Sequence, residues 1–294
     1  MKVLLTGASG YVGSVLTRHL VAAGHLVTGL ARGAASAARV EANGGTPVRG
    51  SLADLDLLRA AASGADAVIH AAIDFADPDL GTTERLALEA LLSGLDASRQ
   101  LVYTSTGLVY PPGGERPARE EDPVDEHTIQ PHKIAGERQV LDNGVVPVHV
   151  IRAGLVHGHN GPGPVRNFLD TARESGKAVY IGDGANRISA VHVADLADLY
   201  VRLLAKRPAE RIFNAATAEP VSVRDIAGAV ARNTGTAACS ITADQARDEL
   251  EPHNAFALAL DSVIDSSRAT QVLGWQPTAV SLLADIAEGS YTAD

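Results

Sequence analysis

A glycine-rich turn lies almost at the start of this 294-residue chain. The run TGASGYVG, residues 6–13, follows a short apolar stretch and precedes a helical pattern. In this setting Gly7 allows a tight turn, Gly10 lets the backbone approach a pyrophosphate, and Gly13 permits close packing of helix on strand. The sequence predicts a dinucleotide site formed by Gly7, Ser9, Gly10, Tyr11, Val12 and Gly13; the alternative is a glycine turn with no ligand.

The first half of the chain alternates strand-like runs with alanine-rich helical stretches, which is typical of βαβ units. Strands are predicted at 2–6, 26–30, 46–49, 67–70, 101–104 and 146–151, and helices at 11–23, 55–62, 83–98 and 131–142. These six strands predict an α/β fold with a Rossmann-like, doubly wound parallel sheet, over residues 1–153.

The second half is less regular. A Gly/Pro-rich loop at 157–164 (HGHNGPGP) is followed by a helix, by predicted strands at 178–181 and 211–214, and by predicted helices at 223–233, 244–249, 266–273 and 281–289. We expect residues 154–294 to form mainly a smaller C-terminal substrate-binding lobe, with 189–217 returning to the first domain. The ligand is expected between the two.

Charge and cysteine content exclude several classes of function. Lys and Arg number 25 against 35 Asp and Glu, a net charge of −10, which argues against a nucleic-acid partner. The single cysteine, Cys239, leaves no internal disulfide and no thiolate cluster, and His157 and His159 lack a third ligand at matching spacing, so no metal site is predicted. No run of about 18 apolar residues predicts a membrane span or a signal segment. We therefore expect a cytoplasmic protein.

The end of the second predicted strand bears on the choice of cofactor. An acidic residue there would bind the ribose 2′-hydroxyl of NAD, whereas an arginine accepts a 2′-phosphate. The sequence has Arg32 and no acid before Glu41, which favours NADP(H), with NAD(H) possible and an ordinary surface arginine as the alternative. Further walls for adenine and ribose are expected at the carboxyl ends of two later strands, from Ser51, Leu52, Ala71 and Ala72.

Several stretches along nearly the whole chain carry a family resemblance. They are the glycine turn, VIHAA (68–72), LVYTSTGLVY (101–110), IRAGLVHG (151–158), ISAVHVADLA (188–197) and LGWQP (273–277). With these stretches in this order, the chain resembles the extended and atypical branch of the short-chain dehydrogenase/reductase superfamily, the NAD-dependent epimerase/dehydratase-like proteins. The resemblance implies a nicotinamide cofactor and a small-molecule substrate.

The resemblance also implies a catalytic arrangement from which this chain departs. In the family a Ser or Thr orients the substrate, a Tyr passes the proton, and a Lys four residues later lowers the Tyr pKa and holds the nicotinamide ribose. Thr106 matches the first position, with Ser105 beside it, and Lys133 matches the lysine. The tyrosine position is Ile129, which cannot transfer a proton.

Other groups could supply the proton instead. Tyr110 is a substrate-side residue in the family, His127 and His132 flank the lost position, and Lys133 could act as an acid if its pKa were depressed. A water molecule positioned by Thr106 is a further possibility.

The resemblance further places Val156 beside the cofactor, and Tyr110, His157, Asn167 and Arg187 at the substrate, with hydrogen bonds between the lobes as the alternative for these positions. It also implies a possible homodimer.

We expect an NADP-dependent oxidoreductase acting on a small carbonyl, imine or polarised alkene. A non-redox isomerase, cyclase or lyase, and a protein that senses NADP(H), are the alternatives. A sugar nucleotide is disfavoured, because the C-terminal lobe is short and lacks a clear basic cluster.

Overall fold

The structure is a computed structural model that describes residues 1–292. Its strands and helices follow one another along the chain as β1 (Lys2–Thr6), α1 (Tyr11–Ala22), β2 (Leu26–Ala31), α2 (Ala34–Ala42), β3 (Thr46–Arg49), α3 (Leu55–Ser63), β4 (Ala67–His70), α4 (Leu80–Ser93), β5 (Gln100–Thr106), α5 (Pro131–Leu141), β6 (Val148–Ala153), β7 (Leu155–His157), α6 (Pro164–Ser175), β8 (Lys177–Ile181), β9 (Arg187–Ile188), β10 (Ala190–His192), α7 (Val193–Lys206), β11 (Ile212–Ala215), β12 (Val221–Ser222), α8 (Val223–Thr234), β13 (Ala237–Ile241), α9 (Ala243–Glu249), α10 (Pro252–Ala259), α11 (Ser267–Leu273) and α12 (Leu282–Glu288).

A parallel sheet with the strand order β11-β6-β5-β4-β1-β2-β3 forms the centre of the described chain. The order reverses between β1 and β4, so the carboxyl ends of these neighbours open a crevice of the kind that binds nucleotides in doubly wound sheets. The predicted Rossmann-like α/β fold is confirmed. The six strands predicted in the first half are joined by a seventh, β11, which overlaps the strand predicted at 211–214 and pairs with β6.

Both faces of this sheet are buried, as its continuous apolar strands require. On one face α1 and α7 pack together, and the fully buried Trp275 belongs to the same hydrophobic cluster. On the other face α3 and α4 pack side by side, and α5 lies against α4. The helices thereby hold the carboxyl ends of the strands in fixed positions.

The remaining elements form a second core next to the sheet. The strands β8 and β13 pair in parallel, and α6, α8 and α12 pack around them. Short pairs, β7 with β10 and β9 with β12, connect this part to the large sheet. None of the helices within residues 1–292 is both long enough and apolar enough to cross a bilayer.

The glycine turn between β1 and α1 is held by steric contact. Gly7 has φ of +75°, and a Cβ there would lie 2.7 Å from the Ala71 carbonyl oxygen. A Cβ on Gly13 would lie only 2.0 Å from the carbonyl oxygen of Gly7. Only glycine therefore allows the first turn of α1 to sit this close to the ends of β1 and β4.

A buried hydrogen bond joins the ends of the same two strands. The Thr6 hydroxyl and the His70 Nδ1 atom are 2.9 Å apart, and Thr6 Oγ1 also accepts the N–H groups of Ala71 and Ala72 at 3.3 Å. Burial lowers the pKa of His70 to about 4; the Glu84 carboxylate opposes this shift, and the Lys133 ammonium adds to it. His70 is thus neutral in the folded protein near neutral pH.

Replacing Gly13 by alanine should destabilise the fold by about 3 kcal/mol, because the added methyl group meets backbone rather than a movable side chain. Gly228→Ala in α8 is the matched control: its Cβ would have the Arg232 side chain as its nearest neighbour, at 3.7 Å. That change should leave stability equal or raise it by up to about 1 kcal/mol. Urea unfolding of both variants checks this, and equal effects would contradict the steric account.

The neutral His70 should make the fold sensitive to acid. The unfolded chain protonates this histidine at its ordinary pKa of about 6.5, whereas the folded chain does so only near pH 4. The contribution of His70 to stability is therefore complete above pH 6.5 and is lost as the pH falls to 4, by roughly 3 kcal/mol. In urea titrations from pH 7 to 4, His70→Gln should lose that much less stability than the wild type. The exposed-site variant His127→Gln should follow the wild type; an unchanged pH slope for His70→Gln would refute the assignment.

Candidate functional site

A cavity of about 730 Å³ lies beyond the carboxyl ends of β5 and β6, where the two parts of the chain meet. We call it the apolar cavity. Its walls are Phe75, Thr106, Gly107, Leu108, Ile129, Gln130, Ala153, Gly154, Leu155, Val156, Pro164, Asn167, Phe168, Ile188, Ser189, Pro252, His253, Asn254, Phe256, Ala257, Leu260 and Ser262. Its size lies within the range of small-molecule sites.

Thr106, the last residue of β5, lines this cavity. Its hydroxyl oxygen accepts the Leu108 N–H at 3.2 Å, and this bond caps the short 3₁₀ turn Gly107–Val109. A hydroxyl that accepts in this way keeps its own proton to donate. Thr106 can therefore hold a ligand oxygen.

Ile129, at the tyrosine position of the family, also lines the cavity. That position therefore faces the site, and its side chain has no group that could transfer a proton.

Ser105 and Tyr110 face the protein interior instead. Ser105 donates to a buried carboxylate, Glu137, which also receives the Arg152 guanidinium. Arg152 donates to the Tyr110 hydroxyl at 2.7 Å, and this hydroxyl donates to Asn214 at 2.9 Å. Burial raises the pKa of Tyr110 to about 12. In the structure the two hydroxyls complete a buried network behind the apolar cavity, and Tyr110 also lines a smaller adjoining cavity. The action of Ser105 and Tyr110 at a substrate stays a prediction.

Lys133 is also engaged elsewhere. Its ammonium donates to Glu84 Oε1 at 2.9 Å and lies 4.9 Å from the ring centroid of Tyr103, whose hydroxyl donates to the same oxygen. Burial acts to raise the pKa of Glu84, but Lys133 and His70 hold it below its ordinary value. In the structure the Lys133 side chain bridges α5 to α4 and is not part of the apolar cavity's wall. Its roles at the ribose and in catalysis stay predictions.

The two histidines proposed as proton donors also lie outside the apolar cavity. The Nε2 atom of His132 is 3.8 Å from Glu84 Oε2, so this side chain belongs to the same buried group as Lys133. His127 is exposed and borders a smaller adjoining cavity of about 190 Å³.

The geometry of the glycine turn fits an anion. Gly10 is the N-cap of α1, and within the described chain no side chain caps this helix. The first N–H groups of α1 are therefore open to a phosphate. At Gly7 and Gly13 the backbone leaves no space for a Cβ atom, and the N-terminus of α1 has no capping side chain. Both features fit the pyrophosphate of a dinucleotide.

Two arginines lie just after β2, and one of them, Arg39, contacts this turn. Arg32, which follows β2, is exposed and forms an ion pair with Asp74. Arg39 of α2 donates to the Ser9 carbonyl oxygen at 2.9 Å. Both guanidinium groups are thus close to the edge of the sheet where the nucleotide would bind, and Arg39 was not predicted from the sequence.

The other predicted cofactor residues have varied positions. Ser51 donates to Asp54 through both its amide and its hydroxyl at the end of β3, and Leu52 packs beside the second face of the sheet. Val156 lines the apolar cavity. Tyr11 donates to the Gly158 carbonyl at 2.7 Å, so the glycine turn is in direct contact with the HGHNGPGP loop.

The predicted substrate residues divide in the same way. Asn167 lines the apolar cavity. His157 is buried, with its Nδ1 atom 3.2 Å from Asp285 Oδ2 and its ring 5.2 Å from that of His192. Arg187 is exposed, its amide bonds to Asp261, and it is outside the cavity wall. His157 and Arg187 thus connect parts of the fold, and neither lines the apolar cavity. Their contact with a substrate stays a prediction.

Sequence reasoning missed several cavity residues. Phe75 lies in a polar loop after β4, and Gln130 precedes α5. Helix α10, which was not predicted, contributes His253 and Phe256. An isolated phenylalanine among aspartates (DFADPD, 74–79) was the one signal available.

The sequence comparisons agree with this architecture. A model of the NAD dependent epimerase/dehydratase family matches residues 3–216. The Schizosaccharomyces pombe protein C2A9.02, itself uncharacterized, is 33% identical over 99% of this chain and 100% of its own length. A UDP-glucose 4-epimerase of Mycolicibacterium smegmatis is 31% identical over 98% of this chain and 97% of its own. A 4-hydroxy-2-methyl-3-oxo-4-farnesyl-3,4-dihydroquinoline-1-oxide ketoreductase of Stigmatella aurantiaca is 26% identical over 76% and 70%.

The fold is also shared with solved structures. UDP-glucose 4-epimerase of Thermus thermophilus, in complex with NAD, superposes with a TM-score of 0.78 at 24% identity, covering 99% of each chain. The chain belongs to the NAD dependent epimerase/dehydratase family, a group of NAD(P)-dependent enzymes of the extended short-chain dehydrogenase/reductase type.

Proposed function

We propose that this protein is an NADP(H)-dependent oxidoreductase that acts on a small carbonyl, imine or polarised alkene. The observation that carries the proposal is a pair of arginines that follow β2: Arg39 contacts the glycine turn before the uncapped N-terminus of α1, and Arg32 pairs with Asp74. A ketoreductase among the relatives supports the reaction type.

The nucleotide would be held by this chain's own groups in two places. The turn at Gly7, Gly10 and Gly13 would bind the pyrophosphate, and Arg32 with Arg39 would bind a ribose 2′-phosphate. Arg32, which pairs with Asp74 in this structure, would exchange that ion pair for one with the phosphate. When bound, the cofactor supplies or removes a hydride equivalent.

The residues of the cavity would do the remaining work. Thr106 orients the substrate oxygen through the proton that its hydroxyl keeps. His253 is, among the cavity-lining residues of the described chain, the one side chain of a type that exchanges protons near neutral pH. We assign to it the proton transfer that Ile129 cannot perform.

A non-redox reaction, or a sensing role without turnover, is the second candidate. It is favoured by one observation: Lys133, which the family uses at the cofactor, is held by Glu84 in a buried ion pair. The two candidates differ in one respect. An oxidoreductase consumes NADPH in proportion to product, whereas an isomerase, a lyase or a sensor does not.

Arg32→Ala should weaken NADPH binding at least tenfold and leave NADH binding unchanged, since a charge-assisted hydrogen bond contributes about 1.5–3 kcal/mol. Calorimetry on the purified protein measures both. Arg247→Ala is the matched control, because Arg247 is similarly exposed (71% against 73% for the Arg32 side chain) and also pairs with an aspartate. Equal affinity of the wild type for NADPH and NADH would overturn the NADP preference.

His253→Gln should lower kcat by at least tenfold, because general acid catalysis contributes 10²-fold or more in enzymes. The Kd for NADPH should not change, since His253 lies at the apolar cavity and not at the glycine turn. His25→Gln, between α1 and β2, is the control. An unaltered kcat for His253→Gln would assign the proton to water.

A further inference from the structure

The phenylalanines of this chain are concentrated at one place. The sequence contains four, and three of them, Phe75, Phe168 and Phe256, line the apolar cavity, whereas Phe213 is fully buried in the core of the sheet. Phe75 is 73% exposed and Phe256 is 37% exposed. Large apolar side chains grouped in an accessible position mark a binding surface for an apolar ligand.

Ile129 adds to this apolar rim. It is 55% exposed and stands at the tyrosine position of the family. The substitution thus removes a hydroxyl from the cavity and adds aliphatic surface in its place. Both changes favour an apolar ligand.

Charge is missing from the cavity wall. Among its lining residues within 1–292 there is no Lys, Arg, Asp or Glu. A diphosphate transferred to such a site would lose its water without gaining cationic partners, which is strongly unfavourable. Helices α6 and α10 both begin at the cavity, but each has proline in its first turn, which removes one of the N–H groups that could bind an anion.

Polar side chains form a minority of the cavity wall. They belong to Thr106, Gln130, Asn167, Ser189, His253, Asn254 and Ser262. Ser189 bonds to the backbone of Ile264, and Asn254 donates to Thr171 through its amide nitrogen, whereas the buried Oδ1 atom of Asn254 has no hydrogen-bond partner within the described chain. Thr106 retains its hydroxyl proton. A mostly apolar wall with a smaller number of polar groups that fix orientation is typical of small-molecule sites.

We propose that the substrate is an uncharged, predominantly apolar molecule, with an aryl or alkyl group next to one reactive carbonyl, and not a sugar nucleotide. The inference rests on the proposed function for the reaction, but its geometric basis is the cavity alone. The carbonyl oxygen would accept from Thr106, and the aryl or alkyl group would lie between Phe75, Phe256 and Ile129. Reduction adds a hydride equivalent from NADPH to the carbonyl carbon and a proton to its oxygen, giving an alcohol and NADP⁺.

The test measures ligand binding to the protein by saturation-transfer difference NMR, once with saturating NADP⁺ and once without nucleotide. The probes are 4-phenylbutan-2-one as an uncharged aryl ketone, pyruvate as an anionic ketone, and UDP-glucose. The aryl ketone should bind, and pyruvate and UDP-glucose should bind at least tenfold more weakly. Preferential binding of UDP-glucose or pyruvate would overturn the proposal.

Two variants locate the site. Ile129→Lys and Phe75→Lys each place a cation at an exposed position of the cavity rim, so both variants should fold. Each should weaken the binding of the aryl ketone at least tenfold. Val145→Lys is the control, because Val145 is 64% exposed and lies outside the cavity wall. Unchanged ketone binding in both rim variants would contradict the assignment.

The outcomes separate the two proposals. Calorimetry with NADPH, measured without ketone, tests the cofactor. Nucleotide binding without ketone binding overturns the substrate class alone. If the ketone binds to the wild type but not to the rim variants, and no nucleotide binds, the proposed substrate class is supported. The proposed oxidoreductase function is then overturned.

Discussion

The close packing of α1 against the ends of β1 and β4 is the constraint on which the rest of the site depends. Gly13 and Gly7 approach so nearly that a methyl group at either position would overlap backbone atoms. This contact directs the uncapped N-terminus of α1 toward the crevice between β1 and β4. The Thr6–His70 hydrogen bond then holds these strand ends together. A phosphate site made in this way consists of backbone and needs no particular side chain.

Two buried ion pairs hold several polar side chains behind the apolar cavity in this structure. Glu84 with Lys133, and Glu137 with Arg152, each place a carboxylate where it must have a cationic partner. Lys133 is therefore retained by α4, and Arg152 engages Tyr110 and the carboxylate to which Ser105 donates. Of the family's catalytic positions, Thr106 and Ile129 line the cavity, and the latter carries no polar group. Ile129 and three phenylalanines in the wall support the proposal of an apolar substrate.

Much of this could be predicted from sequence because it depends on neighbours along the chain. The first four strands of the sheet end where the hydrophobic pattern indicated, to within one residue, and the spacing of the glycines predicted the turn. Side-chain direction could not be predicted. The direction of the Tyr110 side chain depends on Asn214, which is 104 residues away in the sequence. The direction of the Lys133 side chain depends on Glu84, 49 residues away. Helix α10 was missed because its sequence, PHNAFALA, has no polar face that would mark it as amphipathic.

Hydrogen–deuterium exchange with and without NADPH tests the central claim, that the glycine turn and its arginines form a working nucleotide site. The amides of residues 7–14 and 31–39 should exchange more slowly when NADPH is present. When NADH replaces NADPH, the slowing at residues 31–39 should be smaller. The 2′-phosphate that Arg32 and Arg39 would bind is absent from NADH, which is the reason for that difference. Unchanged exchange in residues 7–14 at saturating NADPH would contradict the account, and the turn would then be a structural feature without a ligand.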